Sequence, residues 1–384
     1  MDFRTQILRT FQRKKLDQIV WQPRIMLWYN SNMVSRKKPK FKSFQTALKI
    51  QDIAQRDRFV PKEYIGKNII KIYEDLNASI RYCAETLSLP LFYERERGNR
   101  GIVRKSVRSK NGSIATKIDT PVGTITQCIK DGYTVEKWVK NIDDLKIIKY
   151  IIEGTDYIFD NSMFLTAEKQ LGNLGIPQSY FFRSPYQRCV LEILGFERTT
   201  IFFRRYPREM ETFIQFLEEW DRQNYPVILN SKVKILNLGE NIDAYLSSPR
   251  EFERYHIPYY EERVKWIHHA GKFCHIHMDG HIADLLPYLA DLPFDGIEAL
   301  TPKPQGDVSI DQLKDAVDNK ILLDVIPATL FMPQFPEKRL IECVNTILEY
   351  FSPHLILGIS DELPGNADGR RLKLISEIVS KFEV

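Results

Sequence analysis

The stretch Phe273-Cys-His-Ile-His-Met-Asp-Gly-His281 decides the fold. Its first five residues form a short apolar run typical of a buried strand, and polar side chains recur at every second position. Because residues two apart on a strand share one face, we expect His275, His277 and Asp279 to point together, with Cys274 and Ile276 facing the other way. The strand therefore ends in a polar cluster.

Similar apolar runs recur on both sides of this stretch, and each is followed by a helical pattern. Such alternation predicts βα units, in which a helix carries the chain back to begin a parallel neighbouring strand. The runs after residue 230 lie at 234–238, 296–300, 321–325 and 355–359, and upstream candidates lie at 179–182 and 200–203.

A doubly wound open sheet would show the same alternation, but it would be favoured by a glycine-rich phosphate loop, and the sequence has neither GxGxxG nor GxxxxGK. We therefore predict an α/β protein with a TIM (β/α)8 barrel, in one domain spanning residues 1–384. Residues 1–100 form an N-terminal helical segment and 131–384 the main barrel. Between them, Lys110-Asn-Gly112 predicts a hairpin within an antiparallel β excursion at 101–130.

Composition indicates a soluble globular protein, with 43% hydrophobic and 27% charged residues. We expect a cytoplasmic protein, because neither a signal peptide nor an uncharged apolar run of membrane-spanning length occurs. The five cysteines are scattered without a CxxC pair, which argues against a disulfide framework. Net charge is only +5, and the dense basic run at 35–42 reads as a solvated loop, so no nucleic-acid partner is expected.

The candidate active site lies at the strand ends, because the loops of a barrel converge there. Glu298 and Asp324 stand inside apolar runs, where an unpaired charge is costly. His277 and Asp279, with Asp361 or Glu362, could supply three ligands to a catalytic zinc or similar divalent metal and leave a fourth position open. The alternative is a metal-free polar network in which Asp279 holds His277.

Two further polar residues keep more than one interpretation. Arg183 follows a strand-like run and either binds a substrate anion or serves packing. His281 is a ligand, a proton shuttle or the cap of the next helix.

Six short motifs spread over most of the chain carry a resemblance to a known family: Trp21-Gln-Pro-Arg24, Pro121-Val-Gly-Thr124, Asn237-Leu-Gly-Glu-Asn241, His277-Met-Asp-Gly280, Gly306-Asp307 and Gly358-Ile-Ser-Asp-Glu-Leu-Pro364. They resemble the uroporphyrinogen decarboxylase superfamily, and its methyltransferase branch more than the decarboxylase itself. The resemblance is strongest after residue 230 and implies a TIM barrel.

Two departures distinguish the branches. True decarboxylases carry Arg-Gln-Ala-Gly-Arg near the N-terminus, whereas this chain reads Arg24-Ile-Met-Leu-Trp-Tyr29, so only Arg24 can hold a substrate carboxylate. The related methyltransferases bind zinc through His-x-Cys and a distant Cys, where this chain has His277-Met-Asp279 and Asp361-Glu362. Carboxylates make a harder, more Lewis-acidic site, which should polarise oxygen or nitrogen rather than activate a thiol.

The resemblance thus implies a corrinoid-dependent methyltransferase that demethylates a small O- or N-methyl substrate and passes the methyl group to a corrinoid protein. A homodimer is compatible with this interpretation. The alternatives are a decarboxylase or lyase acting on a smaller acid, and a non-catalytic barrel that binds a corrinoid or tetrapyrrole. The implied roles are proton handling by Glu298 or His281, substrate orientation by Glu240 and Asn241, and lining of the mouth by Trp28 and Tyr29.

Overall fold

The computed structural model describes residues 2–32, 34, 59–98, 100–130 and 132–384. The basic run at 35–42 lies outside the described residues. Two compact units are present: the first is formed by Met1–Leu91, Asn161–Phe181 and Lys232–Val384, and the second by Phe92–Asp160 and Phe182–Ser231.

A seven-stranded parallel sheet forms the centre of the first unit, in the order β1-β14-β12-β11-β10-β9-β8. Its strands are buried on both faces, as the continuous apolar runs predict. A parallel pair, β13 and β15, follows β12 and β14 in the chain. The bounds are β1 Val20–Trp21, β8 Gln178–Phe181, β9 Ile235–Ile242, β10 Phe273–Met278, β11 Gly296–Glu298, β12 Ile321–Leu323, β13 Ile326–Pro327, β14 Leu355–Leu357 and β15 Ile359–Ser360.

Helices alternate with these strands, which confirms the predicted α/β class. The parallel strands are neighbours in chain order, from β8 to β12, then β14 and β1, without the reversal of strand order of a doubly wound sheet, which agrees with the predicted TIM-type barrel. One of the helices, Ile310–Val317, begins at a capping box in which Ser309 and Gln312 satisfy each other's backbone amides. The helices of the first unit are α1 Phe3–Phe11, α2 Met26–Ser31, α3 Ile69–Asp75, α4 Cys83–Thr86, α6 Asn161–Leu171, α10 Pro249–Glu251, α11 Ile257–His269, α12 Ile310–Val317, α13 Glu337–Phe351 and α14 Arg370–Lys381. None of the described helices is long and apolar enough to cross a membrane.

Helix α1 packs on the amino-terminal ends of the strands. Its residues Phe3, Ile7 and Phe11 join a buried cluster with the first residues of several strands, Ile235 and Ile321 among them. This apolar contact covers one end of the sheet and leaves the carboxyl end for the polar residues. Strand β1 also belongs to the sheet, so the N-terminal segment contributes more than the helices predicted for it.

The second unit contains the predicted antiparallel excursion, which extends to Glu136. Gly112 has φ +85°, as a tight Asn-Gly hairpin requires. The strands are β2 Phe92–Glu96, paired with β7 Thr155–Phe159, and the four-stranded sheet β3 Val103–Arg108, β4 Ile114–Thr120, β5 Gly123–Lys130 and β6 Tyr133–Glu136. The helices are α5 Asp144–Glu153, α7 Pro185–Arg188, α8 Phe196–Arg205 and α9 Pro207–Leu229.

One upstream strand prediction was wrong. Residues 179–182 overlap β8, but 200–203 lie inside helix α8. Thr199 and Phe202 are the buried residues of that helix, three positions apart, which is helical spacing. A run of four residues is too short to separate the two periods, and the β-branched and aromatic side chains favoured the strand.

Candidate active site

Adjacent strands bring the polar residues together at the carboxyl end of the sheet. Asn237 lies on β9, His275 and His277 on β10, and Glu298 on β11, and the strand register pairs His277 directly with Glu298. The residues Asn241, Ala299 and Asp324, at the ends of β9, β11 and β12, have φ of 52°, 70° and 55°. Non-glycine residues in this left-handed region are uncommon and cluster at functional sites.

Glu298 is the centre of the cluster and is fully buried. Its Oε1 lies 3.0 Å from Nη1 of Arg81, and its Oε2 accepts a hydrogen bond of 2.6 Å from the Tyr82 hydroxyl and another from Asn237 Nδ2. Burial raises the pKa of Glu298, but Arg81 and His277 outweigh it and hold the pKa well below the usual range. Glu298 is therefore a carboxylate.

Arg81 joins Glu298 to a second buried acid, Asp324. The guanidinium Nη1 of Arg81 is 2.6 Å from Oδ2 of Asp324, and its Nε donates to Gln22 at 2.6 Å. Burial raises the pKa of Asp324 well above its usual value despite Arg81, and the charge of Glu298 adds to that rise. Of the two acids bound by Arg81, Asp324 is therefore the one whose protonated form is favoured by its surroundings.

Two histidines of β10 differ in charge. Burial lowers the pKa of His275 to about 3, so this ring is neutral. Burial also disfavours the charged form of His277, but Glu298 and Asp361 overcome this and raise its pKa to about 9. Nδ1 of His277 lies 3.6 Å from Oε2 of Glu298, and Nε2 lies 3.9 Å from Oδ1 of both Asp279 and Asp361. His277 is thus an imidazolium at neutral pH.

Arg24 lies among carboxylates of its own chain. Its Nη1 donates to Asp361 and lies 3.5 Å from Glu298, while Nη2 lies 3.1 Å from Glu85 and 3.4 Å from Glu362. Burial lowers the pKa of Arg24, but Asp361 and Glu85 raise it to well above its ordinary value. The guanidinium also lies over the ring of Tyr82, 5.3 Å from its centroid.

The residues predicted to hold a metal ion are poorly placed to do so. Among the described residues, no group of three or more His, Cys, Asp or Glu side chains is placed to hold a metal ion. Asp361 accepts a hydrogen bond from Arg24, and Glu362 accepts one from the backbone of Leu27 at 2.8 Å. The zinc site stays a prediction, and no chemical step below uses it.

Three other predicted site residues, Glu240, Asn241 and His281, each contact a different partner. Glu240 lies on the face of β9 opposite Asn237 and accepts a hydrogen bond of 3.0 Å from Tyr260 on α11. Asn241 donates to Asp279. His281 is exposed, with Nδ1 3.4 Å from Asp243.

The remaining three predicted residues serve packing or local pairing. Trp28 is fully buried, and the Tyr29 hydroxyl donates to the Lys67 carbonyl at 2.9 Å. Arg183 belongs to the second unit, where it pairs with Glu192 at 2.7 Å.

The sequence interpretation did not include Arg81 and Tyr82. They enter the site through an isolated parallel bridge between Tyr82 and Gln178 on β8. Residues 79–82 do not contain an apolar run long enough to predict a strand. The only sequence feature pointing to these two residues was an arginine followed directly by a tyrosine.

The order of the parallel strands and the polar residues at their carboxyl ends place the protein among the TIM-barrel proteins. Residues 135–382, more than half of the chain, match the family model described as uroporphyrinogen decarboxylase (URO-D). The chain belongs to the uroporphyrinogen decarboxylase family.

Two solved structures are similar in fold. A methyltransferase from Methanosarcina mazei is 11% identical over 98% of this chain and 97% of that chain, with a TM-score of 0.54. A B12-independent methionine synthase from Shewanella sp. W3-18-1, in complex with selenomethionine, is 11% identical over 95% and 97%, with a TM-score of 0.47. At this identity the likeness concerns the fold alone. No curated protein matches the sequence.

Proposed function

We propose that this chain transfers a methyl group from a small O- or N-methylated substrate to a corrinoid bound by a partner protein, with His277 as the proton donor. The pair formed by His277 and Glu298 carries this proposal. Glu298 holds the imidazole protonated, with a pKa of about 9, at a distance of 3.6 Å from Nδ1. Nε2 is directed instead toward Asp279 and Asp361, whose side chains are 33% and 47% exposed.

Demethylation needs such an acid because an alkoxide or amide is a poor leaving group. As the bond between the methyl carbon and the heteroatom breaks, its electron pair stays on the heteroatom, which takes the proton from Nε2 of His277. A positioned general acid contributes about 10²- to 10⁴-fold in rate. The sequence suggested Glu298 for this step, but its ionised state makes it the group that keeps His277 charged.

The neighbours of Glu298 have a positioning role in this proposal. Arg81, Tyr82 and Asn237 bind its two oxygens and fix the carboxylate against Nδ1 of His277. Fixing both partners in advance is what gives electrostatic stabilisation its value in a buried site. A corrinoid, held by the partner protein, would supply the methyl acceptor.

A small substrate is favoured over a tetrapyrrole. The two buried arginines of the site, Arg24 and Arg81, are both paired with carboxylates of the chain itself, whereas a tetrapyrrole with many carboxylates needs an array of guanidinium donors. The decarboxylase alternative has less support, because the arginine expected to bind a substrate carboxylate, Arg24, already contacts Glu85, Asp361 and Glu362.

An anaerobic assay with cob(I)alamin and a panel of methoxy and N-methyl compounds tests this proposal. We expect the absorbance of Co(I) to disappear with at least one donor, and the demethylated product to form in equal amount. Release of carbon dioxide from a carboxylic acid, without methylation of cobalamin by any donor, would favour the lyase instead.

A further inference from the structure

Positive charge is concentrated on the antiparallel sheet of the second unit. Residues 100–140 contain nine lysines and arginines but three acidic residues, a net charge of +6. The whole chain has a net charge of +5, so all other residues together sum to −1. The other dense basic run, at 35–42, lies outside the described residues. This sheet is thus more basic than the chain around it.

Strand β3 is an open edge of this sheet. The strand order β3-β4-β5-β6 leaves β3 paired with β4 alone among the described strands. All six residues of β3 are exposed. An edge strand offers unpaired amides and carbonyls to which another chain can add.

The outward face of β3 combines apolar and basic side chains. Val103 and Val107 are 48% and 68% exposed, and Lys105 lies between them on the same face. Lys105 stands directly opposite Lys117 on β4, where like charges are unfavourable. Asp119 pairs with Lys117 at 2.8 Å, whereas within the described part of the chain no carboxylate forms a salt bridge with Lys105.

Arg108, at the end of β3, also forms no salt bridge with any carboxylate of the described residues. Exposed valines and uncompensated cations together cost the isolated sheet stability, which is the pattern of a surface that a partner covers.

We propose that β3 binds an extended acidic segment of another protein, which adds to the sheet as a fifth strand. One of its carboxylates would face Lys105, between apolar side chains that cover Val103 and Val107, and another would face Arg108 on the opposite side of the strand. A second copy of this chain is disfavoured, because it would set the same cations against one another. A nucleic acid would neutralise the cations but leave the valines uncovered. This proposal goes beyond methyl transfer and does not depend on it.

The test uses the full chain and a fluorescein-labelled peptide of repeated Val-Glu-Glu-Glu, in which valine and glutamate alternate along one face of the strand and glutamate fills the other. We expect saturable binding by fluorescence anisotropy, and a loss of about tenfold or more in affinity in Lys105→Glu/Arg108→Glu. The matched control is Lys14→Glu/Lys15→Glu, which makes the same charge change at exposed positions of the first unit. That control should bind as the unchanged protein does.

Three outcomes of the binding experiments would overturn the proposal. The first is equal loss of affinity in both double variants, which would mean attraction by net charge. The second is equal binding of a peptide whose valines are replaced by proline, which cannot add as a strand. The third is tighter binding of a thymidine oligonucleotide. Amide hydrogen exchange of the unchanged protein gives an independent readout, because strand addition should protect residues 103–108, and no protection there would also contradict it.

Discussion

Nδ1 of His277 lies 3.6 Å from Oε2 of Glu298, and the two residues stand side by side on neighbouring strands of the parallel sheet. Burial opposes the charged form of both groups, but Arg81 as well as His277 lowers the pKa of Glu298, whereas His277 depends on Glu298 and Asp361 for its raised pKa. Together they form an ion pair that leaves the imidazolium protonated at neutral pH. The proposed proton donor therefore depends on the register between β10 and β11.

The pair should give the protein a distinctive dependence of stability on pH. The pKa of His277 is raised from 6.5 to about 9 in the folded state, so its proton stabilises the fold fully below pH 6.5 and this contribution is lost as the pH rises through 9. The free energy of unfolding, measured with urea, should fall over this window in the unchanged protein and fall less in His277→Gln. If the free energy of unfolding falls equally with pH in both proteins, the pKa of His277 is not raised in the folded state.

The two buried acids bound by Arg81 should respond differently to amide substitution. Glu298→Gln removes a charge that compensates Arg81 and His277, and breaking a buried ion pair costs about 3–5 kcal/mol. Asp324→Asn replaces the acid whose protonated form is favoured by burial, so its cost should be smaller than that of Glu298→Gln. Chemical denaturation of the two variants measures both values. A larger loss in Asp324→Asn would mean that Asp324, rather than Glu298, is the charged partner.

Elemental analysis tests the predicted metal. Because Arg24 donates to Asp361, we expect less than stoichiometric zinc in protein purified without chelator, and no loss of methyl transfer after treatment with a chelator. One equivalent of zinc per chain, lost together with activity in Asp279→Asn, would instead establish the metal site.

The sequence predicted the barrel strands and the two central residues of the site. Continuous apolar runs marked β9 to β12, and the twofold strand period placed His275 and His277 on one face, as observed. The same period places Glu240 and Asn237 on opposite faces of β9. The role in substrate orientation that the motif implied for Glu240 did not take this into account.

Arg81 and Tyr82 could not be predicted, because their place depends on contacts between distant parts of the chain. The bridge from Tyr82 to Gln178, and the hydrogen bonds to Glu298 more than two hundred positions away, leave no periodic signal in the sequence. The charge states of His277 and Asp324 also depend on this assembly, since burial and neighbouring charges decide them.

Single-turnover transfer of a ¹³C-labelled methyl group to cob(I)alamin, from the best donor of the panel, tests the central claim most directly. We expect the rate in His277→Gln to fall by about 10²-fold or more, and the loss to be smallest for donors whose leaving group is most acidic. His269→Gln, at an exposed histidine in the last turn of α11, should retain the rate of the unchanged protein. Undiminished transfer in His277→Gln, or a loss that does not vary with the acidity of the leaving group, would contradict the role of His277 as the proton donor.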